Sequence, residues 1–420
     1  MVQESKSKVA IIGGGPAGCI CAYFLQNNFD VTVFDKKSPL STLLPTGGGR
    51  CNLAHAEFDF KELAKNYPRG EKFLYSVFSK FSTADTLDFF KEIGVDTYTQ
   101  ENGRIFPVSN SSKDVRERFL KALNKVRFVK EEVLKIEGWR YGGMEVWQLP
   151  EEQRTGGQEG KLKSAPTLPS PMGRVPERQE GVEIITNKTS NNADYVVIAT
   201  GGHASFELIQ LLGHKIIPPK PSLTGLKTKE DFSSIAGVAI NDVLLTHKGV
   251  SGPKIYEISS INARKDFPYK LSFDFVGEID LQTALNSNPH KSIKNLLSEY
   301  VVKSFAEYIL KDLGISADMK CHEINGKIRD KILNKLQNFE ITVVGTVPDG
   351  EVVMAGGVDL KEVNPKTLES KLHKNIYFCG EVLDIDGFCG GFNLQNCWST
   401  GYVVAKSLSD NDLLSCKIVL

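Results

Sequence analysis

The chain has 420 residues, 41% hydrophobic, 24% charged and 9% aromatic, which excludes a disordered, collagen-like or coiled-coil protein. Lys+Arg and Asp+Glu balance at 51 each, so no global field gathers nucleic acid or an anionic membrane, and nucleic acid is a disfavoured partner. No apolar run is long enough to cross a membrane and the polar start, MVQESKSK, lacks a signal-peptide layout, so the reading is a cytoplasmic protein with no membrane partner.

The length suits two domains with an insertion. Eight cysteines, none in a CxxC pair, read as reduced thiols rather than a disulfide framework. In chain order, the apolar run Lys8 to Ile12, a helical pattern from Pro16 to Gln26 and a second apolar run from Val31 to Asp35 spell strand, turn, helix, strand. The turn carries Gly13-x-Gly15-x-x-Gly18, and Asp35 stands at the end of the second strand. Gly13 permits the tight turn, Gly15 opens the backbone to a pyrophosphate, and Gly18 lets helix and strand approach closely. Asp35 then accepts from ribose hydroxyls, with Pro16, Ala17 and Lys36 beside the same ligand. This motif alone does not choose between FAD and NAD.

The segment Pro45 to Asn52, with Thr46, Gly47 and Gly48 followed by Gly49 and Arg50, begins ten residues after Asp35. Its glycines expose backbone donors, and Arg50 offers a fork to phosphate. The strand at Ala193 to Ile198 ends in Ala199-Thr200-Gly201-Gly202, which brings backbone to a nucleotide near the switch point of a parallel sheet. Residues Gln148 to Gly181 hold five Gly, five Pro and no aromatic residue, the composition of a disordered insertion.

Between His203 and about Val344, short alternating runs at Val243 to His247 and Lys270 to Phe275, with amphipathic stretches around Ser292 to Leu310 and Lys327 to Leu336, indicate an inserted β and α domain. His247 is the candidate proton donor or substrate anchor, against the commoner structural histidine in a turn. His214 reads as a satisfied packing residue. A last strand at Asn375 to Cys379 leads through Gly380-Glu381 and Asp386 to Gly390-Gly391-Phe392-Asn393-Leu394, which opens a helix running to about Ser407. Glu381 or Asp386 can accept from a flavin polyol chain, and the N–H groups at Gly391 to Leu394 face a flavin edge. There is no HExxH, no clustered His/Cys/Asp set and no second GxGxxG, so no metal site and no separate nicotinamide domain is expected.

LLPTGGGRCNL at 43–53, RIFPVS at 104–109, LTHKGVSGP at 245–253, GGVDLKEVNPKTLESKL at 356–372 and YFCGEVLDIDGFCGGFNLQNCWSTGY at 377–402 carry a resemblance. They resemble one family of bacterial NAD(P)/FAD-dependent oxidoreductases, the aminoacetone-oxidase-like or BaiN-like flavoproteins. The resemblance implies non-covalent FAD and an α/β fold. That fold is a Rossmann-type FAD-binding domain of the glutathione-reductase and succinate-dehydrogenase kind, built from both chain ends around an inserted mixed β-barrel and helical domain. The expected division is 1–205, 206–344 and 345–420. By position it also implies that Cys51 and Asn52 line the cofactor, while Gly380, Glu381, Asp386, Asn393 and Leu394 hold the flavin end. In this chain the loop after Gly202 is shorter than the family pattern.

The function expected is an FAD-dependent oxidoreductase passing a hydride between flavin and a small substrate or NAD(P)H, with reoxidation by oxygen or another acceptor. NADH or NADPH would bind transiently. A tRNA-modifying FAD enzyme and a flavin-binding protein without turnover are the alternatives. The sequence leaves substrate, acceptor and oligomeric state open.

Overall fold

A computed structural model describes residues 6–140, 143–147, 181–203, 206–347 and 353–418, so nearly all of the insertion read at 148–181 lies outside the described residues. The chain divides into two compact units, residues 1–219 with 356–420, and residues 220–355. The sequence reading put these divisions at 205/206 and 344/345. In the structure each falls inside a strand, within Ile216–Ser222 and within Val353–Val358, and these two strands pair with each other. A division inside a strand has no loop composition to mark it.

The first unit is built on five parallel strands in the order Ile376–Phe378, Tyr195–Ile198, Lys8–Ile12, Asp30–Phe34, Arg127–Val129. Their sequences are nearly continuous apolar runs because both faces of a parallel sheet are covered. Ile12 pairs with Ile198 on one side and with Phe34 on the other, so the order reverses at the first strand. A crevice beyond the carboxyl ends of such strands is where these sheets bind ligands.

The helix Pro16–Leu25 begins with proline in its first turn, and most of its residues are buried. It is covered by the C-terminal helix Phe392–Ile418. A Cβ at Gly401 would come within 2.5 Å of the Ala17 carbonyl oxygen and 2.4 Å of Ile20 Cγ2, so the two helix backbones meet at a glycine. Trp398 is fully buried on the same helix and its indole N–H donates to the Leu53 carbonyl at 2.9 Å. The sequence pattern predicts the end of this helix at about Ser407. Instead the helix continues, because Asn411 donates to the Tyr377 hydroxyl and the Ser7 hydroxyl donates to Asp412, each at 3.0 Å. A four-stranded antiparallel sheet and a three-stranded one, Ala54–His55, Arg104–Pro107 and Thr97–Thr99, complete this unit.

Among its described residues the second unit is a six-stranded antiparallel sheet with five α-helices. Its strands follow one another from Ala239–Ile240 to Tyr269–Phe273. Phe275, Phe305 and Phe339 form the aromatic centre of its core, with ring centroids 5.1 to 5.7 Å apart. The amphipathic stretch around 292–310 is two helices, Ile293–Leu297 and Lys303–Asp312, since Val302 is extended at ψ 135°.

Replacing Gly401 with Val forces a branched side chain into the Ala17 backbone. The expected loss is about 3 kcal/mol, read as a lower urea midpoint, and an unchanged midpoint would contradict the close helix approach.

Candidate functional site

The first unit brings the glycines of the first turn to the carboxyl edge of the parallel sheet. Gly13 has φ 109°, its N–H donates to Phe34 O at 2.8 Å, and a Cβ there would lie 2.3 Å from the Ala199 carbonyl oxygen. A Cβ at Gly18 would lie 2.0 Å from the Gly13 carbonyl oxygen. Both positions therefore exclude a side chain. Gly15 differs, because its nearest neighbour is Thr42 Oγ1 at 3.7 Å, leaving backbone at the helix start reachable. The helix dipole adds partial positive charge there.

Asp35 ends the second strand with its carboxylate fixed by two backbone donors, Gly14 N–H to Oδ2 and Lys37 N–H to Oδ1, both at 2.7 Å. Each oxygen keeps a lone pair for a hydroxyl donor. Lys36 is exposed and pairs with Glu132 at 3.0 Å.

The glycine loop forms a 3₁₀ turn, Thr46–Gly49, with Gly47, Gly48 and Gly49 in left-handed conformation. Space around Gly48 and Gly49 is open, as it is around Gly201. Thr46 donates its hydroxyl to the Leu43 carbonyl at 2.6 Å. Arg50 is exposed, with its guanidinium 4.3 Å from the centre of the Phe106 ring. Cys51 is buried and burial pushes its thiol up to about 12, so it is neither a thiolate nor a nucleophile near neutrality. Beside it, Asn52 Oδ1 is buried without a hydrogen-bond partner among the described residues, and so is Thr200 Oγ1.

At the other chain end, the Gly380 N–H donates to Thr400 Oγ1 at 2.9 Å, and Glu381 is half-buried. Asp386 is fully buried and receives a two-point hydrogen bond from Arg69 Nε and Nη2. That carboxylate is a structural ion pair tying the loop before the last helix to residue 69. Asn393 closes the same loop, accepting from Gly387 N–H at 2.8 Å and donating to Gly387 O at 3.0 Å. Leu394 is half-buried against the core. A Cβ at Gly391 would lie 2.4 Å from Ala54 O, and the fully buried Asn396 amide has no partner on either atom among the described residues. Unpartnered amides and hydroxyls beside open glycine backbone suit a polar ligand such as FAD.

The candidate residues of the two chain ends thus all belong to one unit. His247 does not. It is exposed at the turn between Val243–Thr246 and Gly249–Ser251 in the second unit, where its described interaction is electrostatic, with Asp231. His214 is buried, bonded through Nδ1 to Glu362 at 3.0 Å and through Nε2 to Ser370 at 2.9 Å, and burial lowers its pKa.

Sequence reasoning passed over Arg69, His55 and Phe392. The His55 ring stacks on Phe392 with centroids 4.6 Å apart, and its Nδ1 bonds the Gly390 carbonyl at 3.2 Å. Tyr67 donates to the Phe392 carbonyl at 2.6 Å. Spacing gives no signal for these contacts, whose partners lie more than 300 residues apart.

Replacing Asp386 with Asn removes the carboxylate charge from the buried pair with Arg69, at an expected cost of about 3–5 kcal/mol. Urea unfolding checks this, and a cost below 1 kcal/mol, on the scale of an exposed pair, would contradict it. Thiol alkylation at pH 8 followed by peptide mapping is expected to label exposed Cys389 well before Cys19, Cys21, Cys51, Cys379 or Cys397. Equal labelling of Cys51 and Cys389 would contradict the buried, protonated state of Cys51.

The family model described as HI0933-like protein Rossmann domain matches residues 7–159 and 170–407. A ribosomal RNA dihydrouridine synthase of Haemophilus influenzae is 27% identical, over 96% of this chain and 98% of its own. A 3-dehydro-bile acid delta(4,6)-reductase of Clostridium scindens is 26% identical, over 96% of this chain and 99% of its own. Among solved structures, the open conformation of a flavocytochrome c3 fumarate reductase aligns with a TM-score of 0.44 at 13% identity, covering 97% of this chain and 78% of that one. With a family match over most of its length and the glycine turn, acidic strand end and two-ended sheet in place, the chain belongs to the HI0933-like Rossmann family of FAD-binding flavoproteins.

Proposed function

We propose that this FAD-dependent oxidoreductase reduces a carbon–carbon double bond in a small substrate, drawing electrons from NADH or NADPH. The carrying observation is the meeting, in one unit, of the Gly13 turn, the open backbone at Gly201 and the loop before the C-terminal helix. Reduction is favoured because the named relatives are a delta(4,6)-reductase and dihydrouridine synthases, dihydrouridine being uridine with its ring double bond reduced.

FAD supplies two-electron hydride chemistry when bound. The chain's part is binding and orientation. Gly13, Gly15, Pro16, Ala17 and Gly18 form the pyrophosphate turn, and Asp35 accepts from the ribose. The backbone of Thr46, Gly47 and Gly48, with Asn52, Thr200 and Gly201, lines the cofactor. Gly380, Glu381 and the N–H groups from Gly391 hold the flavin end, while Asp386 and Asn393 keep that loop in shape. Lys36, Arg50 and Cys51 stand at the margin, since the first two are exposed and the third is a neutral buried thiol. The described cysteines are free thiols, which suits the cytoplasm. An RNA base is the second reading, favoured by the names of two relatives, and its signature is a salt-sensitive RNA affinity.

The purified protein is expected to show flavin bands near about 370 and 450 nm that bleach anaerobically with NADH or NADPH. Absence of the bands after FAD is added refutes the reading. Gly15→Leu is expected to lose flavin, whereas Gly15→Ala, for which there is room, keeps it. His247→Ala is expected to retain flavin; slower reduction in that variant assigns His247 to proton delivery, and unaltered kinetics leaves it a turn residue.

A further inference from the structure

One face of the small sheet made by Ala54–His55, Arg104–Pro107 and Thr97–Thr99 gathers positive and polar groups. His55 and Arg104 are directly paired across antiparallel strands, so their side chains share a face. Phe106, two residues beyond Arg104, stands on that face too. The guanidinium of Arg50 lies over the Phe106 ring. The loop that enters the C-terminal helix closes the other side: Arg104 Nη2 lies 3.8 Å from Cys389 Sγ, and His55 Nδ1 bonds Gly390 O.

No carboxylate answers either cation among the described residues. Arg69, Arg118 and Arg329 each hold an aspartate, whereas the described side-chain contacts of Arg104 and Arg50 are a sulfur, a carbonyl and an aromatic ring. Arg104 is half-buried as a residue while its guanidinium contact with Cys389 is solvent-exposed, so its fork is open to a ligand. Its planar fork matches carboxylate and phosphate oxygens two at a time. Cys389 and Gly390 immediately precede Gly391, whose N–H is assigned above to the flavin end, so this inference rests on that reading for its place beside the reaction.

We infer that Arg104 is an anchor for an oxyanion on the substrate, with Arg50 adding positive charge on the same face. The substrate class is therefore an unsaturated compound bearing a carboxylate or a phosphate. Arg104 positions the substrate and takes no part in proton or hydride movement.

The test is calorimetric titration of the flavin-loaded protein with inorganic phosphate, with hexanoate and with the trinucleotide of uridylate, on wild type, Arg104→Ala, Arg104→Lys and a surface control, Lys270→Ala. At least one probe is expected to bind wild type. Its affinity is expected to fall tenfold or more in Arg104→Ala, to fall less in Arg104→Lys, which keeps the charge but not the fork, and to stay unchanged in Lys270→Ala. Preference for hexanoate assigns a carboxylic acid, and preference for phosphate and trinucleotide assigns a phosphoryl group; either supports the anchor. No binding to wild type, or equal binding by a folded Arg104→Ala protein, overturns it. Flavin absorbance of the same samples separates the two readings. Wild type without flavin refutes the proposed function, whereas intact flavin with undiminished anion binding in Arg104→Ala refutes only the anchor.

Discussion

Backbone meeting backbone at the start of the first helix is the constraint on which the first unit depends. The helix is held against the sheet at Gly18, whose missing Cβ admits the Gly13 carbonyl, and against the C-terminal helix at Gly401, whose missing Cβ admits the Ala17 carbonyl. Clamped on both sides, the helix start stays at the carboxyl edge of the sheet. Its dipole and N–H groups then face the crevice that the reversal of strand order creates. An ordinary side chain at either contact would push the two layers apart and tilt those donors away.

A second device works on the loop between the last strand and the last helix. Asp386 and Arg69 are a buried pair, and such pairs contribute little net stability compared with apolar packing of similar volume. What the pair does is fix one geometry, since the Arg fork donates to both carboxylate oxygens only in plane. Asn393 reinforces it by closing on Gly387, and Tyr67 holds the first carbonyl of the helix. Two stretches far apart in sequence, 67–69 and 386–393, thereby set where Gly390 and Gly391 lie.

The polar groups of this unit fall into two populations. One is internally satisfied, as with Asp35 and its two backbone donors, and shapes the site. The other, Asn52, Thr83, Thr200, Gln395 and Asn396, is buried with atoms lacking partners among the described residues. Buried polar atoms of that kind are rare in native proteins because desolvation is not returned by a hydrogen bond. Asn52 and Thr200 lie within three residues of the open backbone at Gly49 and Gly201, a placement that residue type alone does not mark.

The sequence by itself determined the parallel strands, the glycine turn, the acidic end of the second strand and the helix that closes the chain. Each is a local pattern with a local cause: apolar runs for strands covered on both faces, glycine where a turn admits no side chain, proline where a helix begins. Tertiary structure alone decided the rest. It set the unit boundaries inside two paired strands, carried the C-terminal helix past Ser409 to Asp412 through contacts with Tyr377 and Ser7, and turned Asp386 toward Arg69. It also left Arg104 without a carboxylate partner among the described residues. These outcomes depend on which distant residues come within hydrogen-bond reach, and periodicity carries no information about a partner hundreds of residues away.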